Sequence, residues 1–566
     1  MPKTGRARPH AHEPATMALQ AKFMQGVMMH QQGKLADAES IYREVLQRQP
    51  NYFDALHLLG VIALQTQHTE LGVELIRKAI GLNANVAAAH SDLGVALTEL
   101  KLPAEALASC NKAIALKPDF AEGYNNRGNA LMDLKRPAEA LASFDTAIAL
   151  KPDYAKALNN RGNALLALKC PTEALASYDR AIALKPDIAE AHNNRGNALT
   201  ELKRPVQALA SYDRAIAQKP DYAEAYYNRG NTLMELNRPA EAVESYDRAI
   251  AQKSDYAEAY WNQSLCFLLM GNFEQGLRQY EWRKKLNEPI AVRSYPQPLW
   301  LGEENITGKT LFIHWEQGLG DTIQFCRYAK LVETRGAKVI ISVQEPLHGL
   351  LKQISPTIQI MKSNEEPTDF DYHCPLLSLP LALGTTLETI PAEQQYIKSD
   401  EELRAAWSAR LPPKTKSRIG AVWSGAAGRK NDYNRSMELQ EFLPIFSPDA
   451  DWTCLQKEIR EKDFPALQQL GRIAFLGDDL LDFNDTAALI DLMDLVITID
   501  TSVAHLAGAM GKAVWILLPY NPDWRWLLDR DDSPLYPSAR LYRQQQIGRW
   551  AGVIDEVKNQ LRSVIG

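Results

Sequence analysis

The sequence predicts an α-helical superhelical solenoid followed by a two-lobed α/β unit. Three observations point to it: self-similarity at a step of 34 residues through the first half, a later alternation of short apolar runs with helix-spaced segments, and a polar, proline-containing piece from Lys398 to Lys416 that divides this alternation in two. A chain of 566 residues with 46% hydrophobic and 23% charged residues has ordinary globular composition and material for several cores. Its formal net charge of -6 gives no electrostatic reason to expect a nucleic-acid partner. Six scattered cysteines form no CxxC pair, which argues against zinc ribbons and against a disulfide framework. The basic opening residues lead into no apolar segment, and no run of about 18 apolar residues occurs, so a cytoplasmic protein without a transmembrane segment is expected.

In the first half, Gly26, Gly60, Gly94, Gly128, Gly162, Gly196 and Gly230 stand in register, with Ser264 in the eighth place. Pro118, Pro152, Pro186 and Pro220 keep the same step, as do Ala140, Ala174, Ala208 and Ala242. Small residues at fixed places let two helices of a hairpin approach closely, and the proline separates one hairpin from the next. The pattern resembles the tetratricopeptide repeat, about eight units over residues 17–285, which implies an extended inner groove. Four units carry paired asparagines, Asn126 and Asn129, Asn160 and Asn163, Asn194 and Asn197, Asn228 and Asn231. At helical spacing these face away from Tyr124, Gly128 and Leu131, so they form rows of amides suited to an extended peptide backbone. The rows resemble the asparagine ladder of eukaryotic O-linked N-acetylglucosamine transferases; the alternative is that duplicated units merely solvate a face. Arg127, Arg161, Arg195 and Arg229 replace a usual apolar residue and are expected to pair with Asp145, Asp179 and Asp213 in a structural role.

Residues 286–307, with Pro289, Pro296 and Pro298, read as a linker. The first lobe, 308–400, opens with strand Leu311 to Ile313, a glycine-containing loop His314 to Asp321, and a helical run Thr322 to Val332. Strands Val339 to Val343, Ile358 to Met361 and Phe370 to His373 follow. The second lobe, 417–566, reads as strands Ile419 to Trp423, Trp452 to Gln456, Ile473 to Leu476, Leu495 to Ile499 and Val514 to Leu518. Helices are expected at Leu439 to Phe446, Phe464 to Leu470 and Thr486 to Met493, with a final helix, Val553 to Val564, returning across the cleft. Ligands of open α/β sheets bind outside the carboxyl ends of strands, so a site between the lobes is expected.

Five places there carry candidate chemistry. Asp321 follows a buried strand and two glycines and is the leading catalytic candidate, or else only a helix cap. The turn Asp500, Thr501, Ser502 to His505 opens a helix after a buried strand and suits a diphosphate, or else Asp500 and Thr501 only cap the helix. The loop with Ser424, Gly425, Arg429, Lys430 and Arg435 suits an anionic leaving group, or is a solvated charge cluster. Gln456 and Lys457 end a strand at the cleft side and either reach a base or ribose or hold an ordinary surface position. Trp524 and Trp526 flank Arg525 in a loop and read as packing residues in preference to a stacking platform; His373 is a further cleft position. Asp529, Asp531 and Asp532 fall in a surface loop, and no DxD arrangement calls for a metal.

Together GLGD, WSG, NRS and DTSVAHLAGAMG resemble glycosyltransferase family nine, the lipopolysaccharide heptosyltransferases, over about residues 308 to 550. The resemblance implies a GT-B fold of twin Rossmann-like lobes, a nucleotide-sugar donor as substrate with no further cofactor, and metal-independent inverting transfer with Asp321 as base. Arg435, Ser424, Gly425, Gln456, Lys457, Asp500, Thr501, Ser502 and His505 would then hold the donor. The repeat array, the Thr-Ser-Val turn and the long loop around Trp524 depart from the heptosyltransferases and argue against heptose as the sugar. About eight repeats joined by a short linker to the cleft can hold an extended chain, so the acceptor expected is a polypeptide held in the repeat groove. The competing expectations are a non-catalytic interaction scaffold and a glycan heptosyltransferase that uses its repeats for assembly.

Overall fold

The computed structural model describes residues 13–286, 293–426, 432–470 and 473–565. Pro289 of the linker, and Arg429 and Lys430 of the glycine-rich loop, lie outside the described residues. The chain divides into two compact units, Met1–Ala225 and Tyr226–Gly566.

Sixteen helices among the described residues, from Glu13–Gln31 to Phe273–Tyr280, form eight antiparallel hairpins. Each of five second helices begins with proline, at Pro103, Pro137, Pro171, Pro205 and Pro239, where the missing N–H costs nothing. The in-register glycines are explained by the partner helix: a Cβ on Gly162 would stand 2.4 Å from the Tyr178 ring, and Gly128, Gly196 and Gly230 meet Phe144, Tyr212 and Tyr246 in the same way. The rings fill the space the glycines leave, and all four are buried.

The second unit begins within the repeats. Leu268, Phe273, Leu277 and Tyr280 of the last hairpin share one buried cluster with Trp300, Phe325, Leu377 and Trp524. The division therefore falls at Ala225 and not in the 286–307 linker, because the last hairpin has given its apolar face to the α/β unit.

Two parallel sheets follow. The first has the order β3-β2-β1-β4, with β1 Thr310–His314, β2 Lys338–Val343, β3 Gln359–Lys362 and β4 Tyr372–Pro375. The second has the order β10-β9-β8-β5-β6-β7, with β5 Ser417–Val422, β6 Ala450–Cys454, β7 Ile473–Phe475, β8 Leu495–Ile499, β9 Val514–Leu518 and β10 Ala539–Arg543. Strand order reverses beside β1 in one sheet and between β5 and β8 in the other, so each sheet has a switch-point crevice at its strands' carboxyl ends.

Four expectations change. The single helical run after Asp321 is two helices, Leu319–Phe325 and Arg327–Thr334, broken at Cys326. The run from Leu439 is one helical turn, Leu439–Phe442, continued as a tighter 3-10 turn, Leu443–Ile445, around Pro444. The piece between the lobes holds a helix, Glu401–Arg410, capped by Asp400 and anchored by Trp407, whose indole N–H donates to Asp485 at 3.0 Å. The loop beyond Trp524 ends in β10, a strand the sequence reading did not contain. The last helix, Ala551–Ile565, packs on β10 and on the Leu443–Ile445 turn. Among the described residues no helix is long and apolar enough to cross a membrane.

Candidate active site

The loops that leave β1, β5 and β8 all open into one cleft of about 520 Å³, lined by Asp321, Gly425, Arg435, Asp500, Thr501, Ser502, His505 and Arg525 among others. It continues into an adjoining, more apolar chamber of about 530 Å³ that shares Gly425, Thr501 and Ser502 and adds Ser424, Gln456 and Lys457. Every donor-site candidate within the described residues therefore lines one or both of these adjoining spaces.

Asp321 is held on both carboxylate oxygens. Oδ2 accepts the Gly318 backbone N–H at 2.7 Å, and Oδ1 accepts from the Arg525 guanidinium. Gly320 brings this loop against the second lobe: a Cβ there would stand 2.8 Å from His505 Cδ2. The helix Ser502–Ala509 starts on that side, with Thr501 at its N-cap in extended conformation. Ala504 and His505 return their N–H groups to the Thr501 carbonyl, so the Ser502 and Val503 amides at the helix start are the ones available to an anion.

The charges around this start are balanced by burial. Arg435 donates to the Asp500 backbone carbonyl at 3.0 Å. Removal from water, then the nearby Asp523 carboxylate, pushes the Asp500 carboxyl up to about 6. Burial, then the Arg525 guanidinium, pulls His505 down to about 3, so the ring is neutral. That ring stacks on Trp526 with centroids 5.3 Å apart, and its Nδ1 lies 3.0 Å from Tyr536 Oη.

Ser424 and Gly425 form a braced turn. Gln456 Oε1 accepts the N–H groups of Trp423 and Ser424 at 2.7 and 3.0 Å, while its Nε2 donates to Ser424 Oγ and the Glu458 carbonyl. Gln456 is thus spent on shaping the turn, whereas Lys457 beside it is exposed. The Gly425 amide donates to Ser436 Oγ, and its carbonyl accepts from Arg460, which also pairs with Asp432.

His373 lies away from the cleft lining. Its Nδ1 is 3.3 Å from His314 Nε2 on a sheet face covered by Tyr295. Trp524 packs edge-on to Phe273 and Tyr280, as a packing residue should. Asp529, Asp531 and Asp532 are exposed, and among the described residues no cluster of three His, Cys, Asp or Glu side chains is placed to hold a metal. Three residues to which the sequence reading gave no role matter here: Arg525 on Asp321, Arg460 on Asp432, and Arg327. The last donates to the carbonyls of Pro391 and Leu535 and to Tyr396 Oη, tying the first lobe to the second.

The asparagines of the first half bond to one another and to neighbouring hydroxyls. Asn160 Nδ2 donates to Asn125 and Asn129 of the preceding hairpin, both at 3.0 Å, and Asn194 repeats this toward Asn159. Asn126 donates to Ser91. Asn163, Asn197 and Asn231 accept from the hydroxyls of Tyr178, Tyr212 and Tyr246, and Asn231 accepts also from Asn262. All eight candidate asparagines, Asn228 included, are half-buried.

Tetratricopeptide repeat families match residues 30–81, 57–119, 125–187, 171–223 and 199–277. The first half of the chain is a tetratricopeptide repeat array. Protein FlbA of Caulobacter vibrioides is 27% identical over 323 residues, 52% of this chain and 53% of its own, so the chain spans about half the length of the curated relative it matches. Among solved structures, YrrB, a TPR protein with an unusual peptide-binding site, is 27% identical across 33% of this chain and 96% of its own, with a TM-score of 0.28. A tetratricopeptide repeat protein from Parabacteroides merdae is 15% identical across 44% of this chain and 99% of its own, with a TM-score of 0.38. Within the tetratricopeptide array the arginines act between helices: Arg161 and Arg195 pair with Asp145 and Asp179 at 2.7 Å, and Arg127 and Arg229 donate to Ser143 and Ser245.

Proposed function

We propose that the α/β unit is an inverting glycosyltransferase with a nucleotide sugar as donor and a hydroxyl of a polypeptide as acceptor, the polypeptide being recruited by the tetratricopeptide array. The observation that carries this reading is the placement of Asp321 across one cleft from the start of the helix Ser502–Ala509, with Gly320 in contact with His505. In this reading the diphosphate lies on the Ser502 and Val503 amides beside Arg435, and the nucleoside extends into the apolar chamber past Gln456 and Lys457. Asp321 takes the acceptor hydroxyl proton as that oxygen bonds to the anomeric carbon. The bond from that carbon to the phosphate oxygen breaks, and the nucleoside diphosphate leaves with the electron pair. Each Asp321 oxygen makes one hydrogen bond in the structure, so each keeps a lone pair for the proton. Arg525 offsets the carboxylates of Asp321 and Asp523.

A second reading, a repeat scaffold whose cleft binds partners without catalysis, is favoured by the same two hydrogen bonds, which suffice for a structural Asp321. Screening nucleotide sugars for donor hydrolysis and for transfer to cell-lysate proteins separates the two. Asp321→Asn should lower turnover by ~10² to 10⁴ while circular dichroism stays unchanged. Turnover at the wild-type rate would remove Asp321 from the role.

A further inference from the structure

Arg283 lies in the turn Glu281–Lys285 that ends the repeat array and is fully buried. All five of its N–H donors are used. Nε and Nη2 fork onto the Glu316 carboxylate at 3.2 and 2.8 Å, Nη2 also reaches Ser378 Oγ, and Nη1 meets the Tyr280 carbonyl and Glu281. Glu316, itself buried, stands in the loop between β1 and Asp321. Its neighbour Gln317 has φ of 58°, a left-handed conformation unusual for a side chain of this kind, and donates from Nε2 to Tyr280 Oη at 3.3 Å. The next amide, Gly318, is the one that Asp321 accepts. On the other side of the carboxylate, Trp524 rests on Phe273 and Tyr280, and Arg525 follows it. Both supports of Asp321 thus stand on the last repeat.

An apolar contact would bury this junction at lower desolvation cost, whereas a planar fork on a carboxylate fixes orientation. We propose that Arg283 is a positioning residue, which holds the loop 315–321 in the conformation that presents Asp321 to the cleft. The kinetic consequence rests on the reading of Asp321 as the base; the effect on the loop does not.

The test uses the full chain and the variants Arg283→Lys, Arg283→Met with Glu316→Leu, and Leu277→Ala, the last removing buried apolar volume from the same hairpin while leaving the Arg283 and Glu316 side chains in place. Hydrogen exchange is followed by mass spectrometry, alongside donor and acceptor kinetics. Arg283→Lys should speed exchange of the 315–321 amides by about tenfold with the rest of the α/β unit unchanged. It should lower kcat by up to about a hundredfold with little change in donor KM. Leu277→Ala should lower the melting temperature without this local signature. The double variant removes both buried charges, so it reports on the loop even where a lone unpaired charge prevents folding; it too should show fast loop exchange. Wild-type exchange in Arg283→Lys or in the double variant, or an equal loop response in Leu277→Ala, would overturn the proposal. A wild-type enzyme with no transfer activity would overturn the glycosyltransferase reading instead, and the exchange data would still decide the role of Arg283.

Discussion

His505, buried, and Asp500, half-buried, line the same cleft and titrate with opposite consequences. The His505 ring is pulled from 6.5 to about 3, so as pH falls below 6.5 the unfolded chain takes a proton that the folded one refuses, and stability is lost. Asp500 is raised from 3.8 to about 6, so its contribution is fully present below 3.8 and is lost as pH rises toward 6. Melting temperatures should therefore fall less on acidification from pH 6.5 to 4 in His505→Asn than in wild type, and more in Asp500→Asn. Parallel slopes in all three proteins would contradict the assignment. Gly320→Ala gives a second residue-scale prediction, because its Cβ would stand 2.8 Å from a ring already fixed by Trp526 and Tyr536. Overpacking of this kind costs about 1 to 3 kcal/mol, so the variant should melt lower and lose cleft activity. Calorimetry with parallel assays checks both. Asp321 and the Asp500 turn were legible as cleft positions because each follows an apolar strand at a glycine- or hydroxyl-rich turn. Arg525 was not, since its partner lies 204 residues away in the chain.

At the scale of elements, the 34-residue period locates the hairpins but leaves their joints to be seen. The turn within each hairpin is a left-handed helix stop: Arg136 N–H returns to the Leu131 carbonyl while Lys135 takes φ of 60°. Gly33 and Gly271 fill this place in the first and last hairpins, whereas Gln67, Lys101, Lys135, Lys169, Lys203 and Asn237 fill it between them. Lys135→Gly should stabilise the array, the left-handed cost of about 1 to 2 kcal/mol being partly offset by the greater freedom of glycine when unfolded. A lower melting temperature in thermal denaturation would contradict that. The asparagine ladder was readable as a row but not as a closed one. Neighbouring first helices pack with offsets of 31 and 35 residues, which carries Asn160 onto Asn129 and Asn125. The helix Glu401–Arg410 passed for a linker because Trp407 is its one fully buried side chain, although Asp400 and the two glutamates after it are helix-start signals. β10 escaped notice because Arg540 and Arg543 mark it as the edge of its sheet.

At the scale of the whole molecule, the last hairpin belongs to the α/β unit as much as to the repeats. A fragment beginning at Tyr226 should fold and keep the cleft, whereas one beginning at residue 286 loses Arg283 and uncovers Trp524. The shorter fragment should aggregate or bind a hydrophobic dye, and light scattering compares the two. The central claim is that the cleft holds a nucleoside diphosphate at the start of the helix Ser502–Ala509 and uses Asp321 only on the acceptor side. Thermal shift against UDP, GDP, CDP, ADP and dTDP, on wild type, Asp321→Asn and Arg435→Gln, tests it most directly. At a ligand concentration 100 times Kd the stabilisation is ~2.7 kcal/mol, and one diphosphate should produce it in wild type and Asp321→Asn but much less in Arg435→Gln. No shift with any diphosphate, or an equal shift in Arg435→Gln, would contradict the account.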